Sequence, residues 1–132
     1  MPPGVSTAVT VLVVDDHAHV RDGVERLLDG RDGFRLVGAA RDGEEACTLA
    51  TVLRPDVVLM DLCMPVLDGI EATRRIVRTC PATRVVVLTA LRDRERIGRA
   101  IDAGAVGCLL KDVEPDALLA AVRSAADGGG RA

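Results

Sequence analysis

The chain has 132 residues, 48% of them apolar and 28% charged, with a formal net charge of −3. That is the balance of one globular domain with one core, and no basic surface announces nucleic-acid binding. No apolar run approaches membrane-spanning length, and Met1-Pro2-Pro3-Gly4 lacks the charged and apolar regions of a signal peptide, so the expected location is cytoplasmic, with no membrane partner.

Phe34 is the one aromatic residue, so the core must be built from Val, Leu, Ile and Ala. Cys47, Cys63, Cys80 and Cys108 form no CxxC pair and have no His cluster beside them. Reduced thiols are expected, with neither a disulfide framework nor a zinc site.

In chain order, residues 1–8 read as a disordered N-terminal tail. Val9–Val14 is an apolar run ending in Asp15-Asp16. Over His17–Asp29 the spacing of Val20, Val24, Leu27 and Leu28 predicts a helix, with Gly30 and Gly33 marking its stop and a turn. Phe34–Ala40 reads as a second strand. Gly43–Leu53 reads as a helix that turns Ala46, Leu49, Ala50 and Leu53 inward and is broken at Pro55. Asp56–Asp61 is wholly apolar between its two carboxylates, as a strand buried on both faces would be.

Asp68 is placed to cap a helix carrying Ile70, Thr73, Ile76 and Val77, with Pro81 beyond its end. Arg84–Thr89 is the fourth strand. Arg92–Ala103 is a charged helix with Ile97, Ala100 and Ile101 on one stripe, followed by Gly104 as a C-cap. Val106–Leu110 is the fifth strand, ended by Lys111. Pro115 fits the first position of a last helix, which turns Leu118, Leu119, Val122 and Ala125 to the core. Residues 9–127 form one domain, and 128–132 begin a linker or tail. Strand–helix alternation of this kind predicts an α/β doubly wound parallel sheet with right-handed crossovers.

In such a sheet the carboxyl ends of the strands share one edge, where ligands bind. The residues ending the apolar runs are Asp15 and Asp16, Asp61, Thr89 and Lys111. Three carboxylates crowded together raise a pKa unless a cation is present. Hard oxygen ligands with room for water suit Mg²⁺. A lysine and a hydroxyl nearby suit an anion held against the metal, such as a phosphoryl group, and Asp61 is placed to be the nucleophile that takes it. Each residue also has a plainer reading. Asp15 or Asp16 would cap the next helix, Asp61 would be a turn residue, Thr89 a β-branched strand residue, and Lys111 a solvated charge. Four strands ending this way together favour a site.

The segments Val13-Val14-Asp15-Asp16-His17, Leu59-Met60-Asp61-Leu62-Cys63-Met64-Pro65, Asp68-Gly69, Leu88-Thr89-Ala90 and Leu109-Leu110-Lys111 resemble a response regulator receiver domain of two-component systems (CheY-like). The likeness runs from about Val9 to Ala126. Asp15-Asp16-His17 followed by Val20-Arg21-Asp22-Gly23 is similar to the NarL/FixJ (LuxR-type) subgroup. The resemblance implies a flavodoxin-like (βα)5 fold with strand order 2-1-3-4-5. It implies Asp61 as phosphoacceptor, and Mg²⁺ held by Asp16, by Asp61, by the backbone carbonyl of Cys63 and, through water, by Asp15. Thr89 and Lys111 would bind phosphoryl oxygens. The implied partner is a sensor histidine kinase, with a homodimer on activation. DNA would be reached only through a C-terminal helix-turn-helix domain absent from this chain, which would be either a stand-alone receiver or an excised piece. A receiver catalyses only its own phosphorylation and dephosphorylation.

The chain departs from the family's pattern in three ways. Cys108 stands where the resemblance implies Tyr or Phe. The expectation is that Thr89 still moves on phosphorylation while the signal runs through repacking of Arg92–Ala103. Cys63 and Leu91 occupy the positions that tune water access, and neither orients a water well, so a long-lived phosphorylated form is expected. Asp112 follows Lys111 where many relatives have a cis proline; a cis bond at Asp112 would cost about 2.5–4 kcal/mol. Cys63 and Cys108 read as small buried fillers rather than redox sensors. Arg92, Arg94, Arg96 and Arg99, interleaved with Asp93 and Glu95, read as a solvated mixed-charge face.

Two other functions compete with the switch. One is a pseudo-receiver, a phosphorylation-independent dimerisation or docking module, for which Cys108 argues. The other is a Mg²⁺-dependent phosphohydrolase working through an aspartyl phosphate. Such enzymes commonly use a carboxylate two residues after the nucleophile, and Cys63 is there instead.

Overall fold

The computed structural model describes residues 8–90 and 94–128. Five strands, β1 (Val9–Val14), β2 (Phe34–Ala40), β3 (Val57–Met60), β4 (Arg84–Thr89) and β5 (Gly107–Leu110), form one sheet in the order β2-β1-β3-β4-β5. Every pairing is parallel. Between and after them run α1 (Ala18–Asp29), α2 (Gly43–Leu53), α3 (Gly69–Thr79), α4 (Arg94–Asp102) and α5 (Pro115–Ala126). This is the expected flavodoxin-like arrangement.

Successive side chains on a strand face opposite sides, and the apolar runs divide accordingly. Leu12 and Val14, Val58 and Met60, Val85 and Val87 join one core layer, with Ala46 and Ala50 of α2 and Ile70, Ala72 and Ile76 of α3. Val11 and Val13, Val57 and Leu59, Val86 and Leu88 join the other, with Val24 and Leu28 of α1 and Leu118, Leu119, Val122 and Ala125 of α5. At roughly 1.5–3 kcal/mol per fully buried Val, Leu or Ile side chain, these layers supply the fold without aromatic packing. The lone Phe34 lies half-buried beneath the Arg123 guanidinium, 4.7 Å from Cζ to the ring centroid, a cation–π contact that joins β2 to α5.

Helix boundaries follow capping chemistry. Asp42 accepts from Glu45 N–H, and Glu45 Oε1 accepts in turn from Arg41 N–H, the reciprocal pattern of a helix start. Asp68 Oδ1 accepts from the N–H groups of both Ile70 and Glu71, each at 3.0 Å. Gly104, at φ 121°, reverses the chain after α4, where an added Cβ would meet Val77 Cγ2 at 2.8 Å.

Several expectations need correction. α1 starts at Ala18 rather than His17, which precedes it in extended conformation without a side-chain cap. Asp56 and Asp61 flank β3 rather than belonging to it; the Asp56 N–H is taken by the Thr10 hydroxyl instead of the ladder. β5 starts at Gly107, not Val106. Leu53 is exposed, not inward, and Ile101, expected on one stripe with Ala100, is exposed as well: Ile101 is turned about 100° from buried Ala100, and Leu53 ends its helix beside the edge strand. Cys63 is exposed, so it is no core filler, whereas Cys108 is half-buried. The Lys111–Asp112 bond is trans, as are the other peptide bonds among the described residues. Leu91 and the expected start of the fourth helix at Arg92 lie outside the described residues.

Candidate functional site

The sheet register delivers the site. Val14 of β1 pairs with Met60 of β3, so Asp15 and Asp61 are the next residues on adjacent strands. Thr89 pairs with Leu110, and Lys111 follows immediately, its N–H bonded to the Thr89 carbonyl. Asp15, Asp61 and Thr89 are buried, at 1%, 4% and 0% exposure. Asp16 faces solvent.

Lys111 Nζ reaches across the edge to Asp15 Oδ2 at 2.5 Å and to Asp61 Oδ2 at 3.6 Å. Ligand atoms of Asp15, Asp16, Asp61 and His17 all lie within 4.8 Å of one another. Burial pushes the Asp61 carboxyl above its ordinary range, and the Asp15 charge adds to the rise; Lys111 and the Cys63 N–H, which donates to Asp61, pull the other way. For Lys111, burial favours the neutral amine but is outweighed by the hydrogen bond to Asp15 and the charge of Asp61, so its pKa is raised. The expected crowding is therefore present, with desolvation contributing more than repulsion. A set of hard carboxylate oxygens, partly open through Asp16, fits a Mg²⁺ ion by its donor chemistry.

The plainer readings of the two aspartates fail locally. Neither Asp15 nor Asp16 caps α1. Asp15 Oδ1 instead accepts from the backbone N–H of His17 at 2.9 Å.

The loop after β3 is held close. Gly69 admits no side chain, since a Cβ there would stand 2.0 Å from the Asp61 carbonyl oxygen. Gly43 likewise touches this loop, its N–H bonded to the Leu67 carbonyl. Within the loop, Leu67 N–H closes a three-residue turn on the Pro65 carbonyl at 2.8 Å, with exposed Val66 at φ 71°. A β-branched residue rarely adopts that conformation.

Three contacts were not read from the sequence. His17 Nδ1 lies 3.0 Å from Asp15 Oδ1 and 3.1 Å from Asp16 Oδ1; its place directly after the acidic pair was the available signal. Arg21 Nη1 donates to the Asp15 carbonyl at 2.7 Å, one helical turn from the strand end. Arg96 is not part of a solvated face: it is half-buried and donates to the Leu62 carbonyl at 3.3 Å.

Residues 11–123 match the response regulator receiver domain family, and the chain belongs to it. Receiver domains are signalling switches that bind Mg²⁺ at an acidic pocket. The chain is 39% identical over 121 residues to the transcriptional regulatory protein DegU of Brevibacillus brevis, covering 92% of this chain and 51% of that protein. It is 43% identical over 115 residues to the response regulator GacA of Pseudomonas aeruginosa, covering 87% and 54%. Among solved structures, a two-component response regulator of the LuxR family from Aurantimonas sp. SI85-9A1 superposes with a TM-score of 0.86 at 36% identity, covering 92% of this chain and 87% of that one. The chain thus spans about half the length of the curated relatives it matches. Among the described residues, no helix is long and apolar enough to cross a membrane.

Proposed function

We propose that residues 9–127 form a phosphorylation switch in which Asp61 accepts a phosphoryl group from a phosphohistidine of a sensor histidine kinase. The observation that carries this reading is the convergence of Asp15, Asp61 and Lys111 at the ends of three strands, with Lys111 Nζ 3.6 Å from the Asp61 carboxylate. An Asp61 oxygen attacks phosphorus, a P–O bond forms, and the P–N bond breaks. The leaving imidazole keeps the electron pair and takes a proton from water. Asp15, Asp16, Asp61 and the Cys63 carbonyl would hold Mg²⁺. When bound, the ion neutralises charge on the phosphoryl oxygens. Lys111 and the Thr89 hydroxyl would bind those oxygens, and burial of Asp61 keeps its attacking oxygen poorly hydrated.

The same reading extends to output. DegU is a transcriptional regulatory protein, and the matched Aurantimonas regulator is of the LuxR family. A cytoplasmic parent protein with a helix-turn-helix domain, dimerising on activation, is the output we infer. Cys108 favours a second reading as a phosphorylation-independent docking module, since it is half-buried beside β4 where the family pattern places a ring.

Incubation with acetyl phosphate and Mg²⁺ followed by intact mass separates the two. The switch predicts one added phosphoryl group on the wild type and none on Asp61→Asn; the docking module predicts none on either.

A further inference from the structure

The carbonyl of Leu62, one residue beyond Asp61, accepts from two separate elements. Gly69 N–H, at the start of α3, donates at 3.1 Å, and Arg96 Nη2, from α4, donates at 3.3 Å. The other end of that same peptide unit is the N–H of Cys63, which donates to the Asp61 carboxylate. A trans peptide is a rigid plane with its C=O and N–H pointing in opposite directions. Whatever fixes the Leu62 oxygen therefore fixes the aim of the Cys63 hydrogen.

Two observations single out Arg96 rather than α3 as the adjustable partner. Gly69 is wedged against the Asp61 carbonyl and locked by the Asp68 cap. α4 instead brings little apolar surface to the core, with Ala100 as its buried residue and Ile101 facing out. Arg96 is half-buried while Arg94, Glu95 and Arg99 around it are exposed. A guanidinium makes a charge-assisted bond to a carbonyl and holds it in a fixed direction.

We propose that Arg96 is a positioning residue for Asp61: by holding the Leu62 carbonyl it keeps the Cys63 N–H aimed at the carboxylate, and it ties α4 to the state of that carboxylate through one rigid peptide. The proposal rests on the reading of Asp61 as phosphoacceptor. A change of charge at Asp61 alters the pull on the Cys63 N–H, tilts the peptide, and reaches α4 as a change at Arg96.

The test uses the full chain, ¹⁵N-labelled, as wild type, Arg96→Ala, Arg96→Lys and, as an exposed control on the same helix, Arg99→Ala. Two quantities are read: the Cys63 amide resonance in metal-free protein, and the rate of labelling by acetyl phosphate with Mg²⁺. Arg96→Ala is expected to move the Cys63 resonance and slow labelling about tenfold, the scale of one charge-assisted hydrogen bond. Arg96→Lys, which keeps a donor, should recover most of the rate, and Arg99→Ala should match the wild type in both. An unmoved resonance or an unchanged rate in Arg96→Ala overturns the proposal. If the wild type itself fails to label, the assignment of Asp61 as acceptor fails, and the resonance, read without a phosphodonor, still decides whether Arg96 aims the peptide.

Discussion

Lys111 spans the carboxyl edge of the sheet from the end of β5, past β4, to Asp61 beyond β3, and its ammonium is shared between Asp61 and the more deeply buried Asp15. One cation thus offsets two carboxylates in a desolvated place. Removing it leaves both charges uncompensated, so Lys111→Ala should destabilise the metal-free domain by about 2 kcal/mol. It should also weaken the link between phosphorylation and output. Urea unfolding in EDTA reads the first effect; an unchanged midpoint would mean the ammonium neutralises nothing there.

Asp61 carries the opposite sign. Its folded-state pKa is raised, chiefly by burial and then by Asp15. Between the ordinary carboxylate pKa and that raised value, the folded chain holds more protons than the unfolded one. Its stability contribution is therefore full below the ordinary pKa and is lost as pH rises through the raised one. Without metal, Asp61→Asn should be more stable than the wild type at neutral pH and should lack this decline. Mg²⁺ should raise the wild-type midpoint and leave that of Asp61→Asn nearly unchanged. Parallel pH–stability curves for the two proteins would contradict the strain described here.

Asp16 faces solvent, its side chain about one-third exposed, and does not cap α1. Asp16→Asn should leave the unfolding midpoint in EDTA unchanged and weaken Mg²⁺ binding by about tenfold or more, the scale of losses around a metal ligand set. Calorimetric titration of the variant decides this; an affinity equal to the wild type would remove Asp16 from the ligand set.

Gly69→Ala tests the packing behind Asp61. The new methyl would stand 2.0 Å from the Asp61 carbonyl oxygen, a backbone atom that cannot move without dragging the site. A loss of about 3 kcal/mol is expected, together with slower labelling. Gly98→Ala on α4, where nothing lies within 4 Å, should cost nothing and serves as the comparison.

The phosphorylated form should be long-lived, because exposed Cys63, at one of the two positions expected to control water access, offers no side chain that readily orients a water. Mass measurements after removal of the phosphodonor should show the adduct persisting for many minutes; loss within a minute or so would contradict this.

Much of this architecture was legible before any coordinates. The short apolar runs at β1, β3 and β4 read as strands covered on both faces, and each ended in a polar residue at the edge where parallel sheets bind ligands. β2, β4 and α2 have the bounds read from punctuation by Gly, Asp and Pro. What escaped was what depends on packing between distant segments. The arginines of α4 look alike in sequence, and only the docking of that helix against the loop after β3 turns Arg96 inward. Periodicity also assigned Leu53 inward and put Ile101 on one stripe with Ala100, yet both are exposed; a local pattern does not register how far a neighbouring layer extends. Arg21 was visible only as part of a motif, and its bond to the Asp15 carbonyl follows from the turn into α1.

The central claim is that Asp61, and no neighbouring carboxylate, takes the phosphoryl group. Borohydride reduction converts an aspartyl phosphate to homoserine, and peptide sequencing by mass spectrometry locates it. After treatment with acetyl phosphate and Mg²⁺, the account predicts homoserine at position 61, with Asp15, Asp16 and Asp68 intact. Homoserine at one of those three with Asp61 unchanged would contradict it.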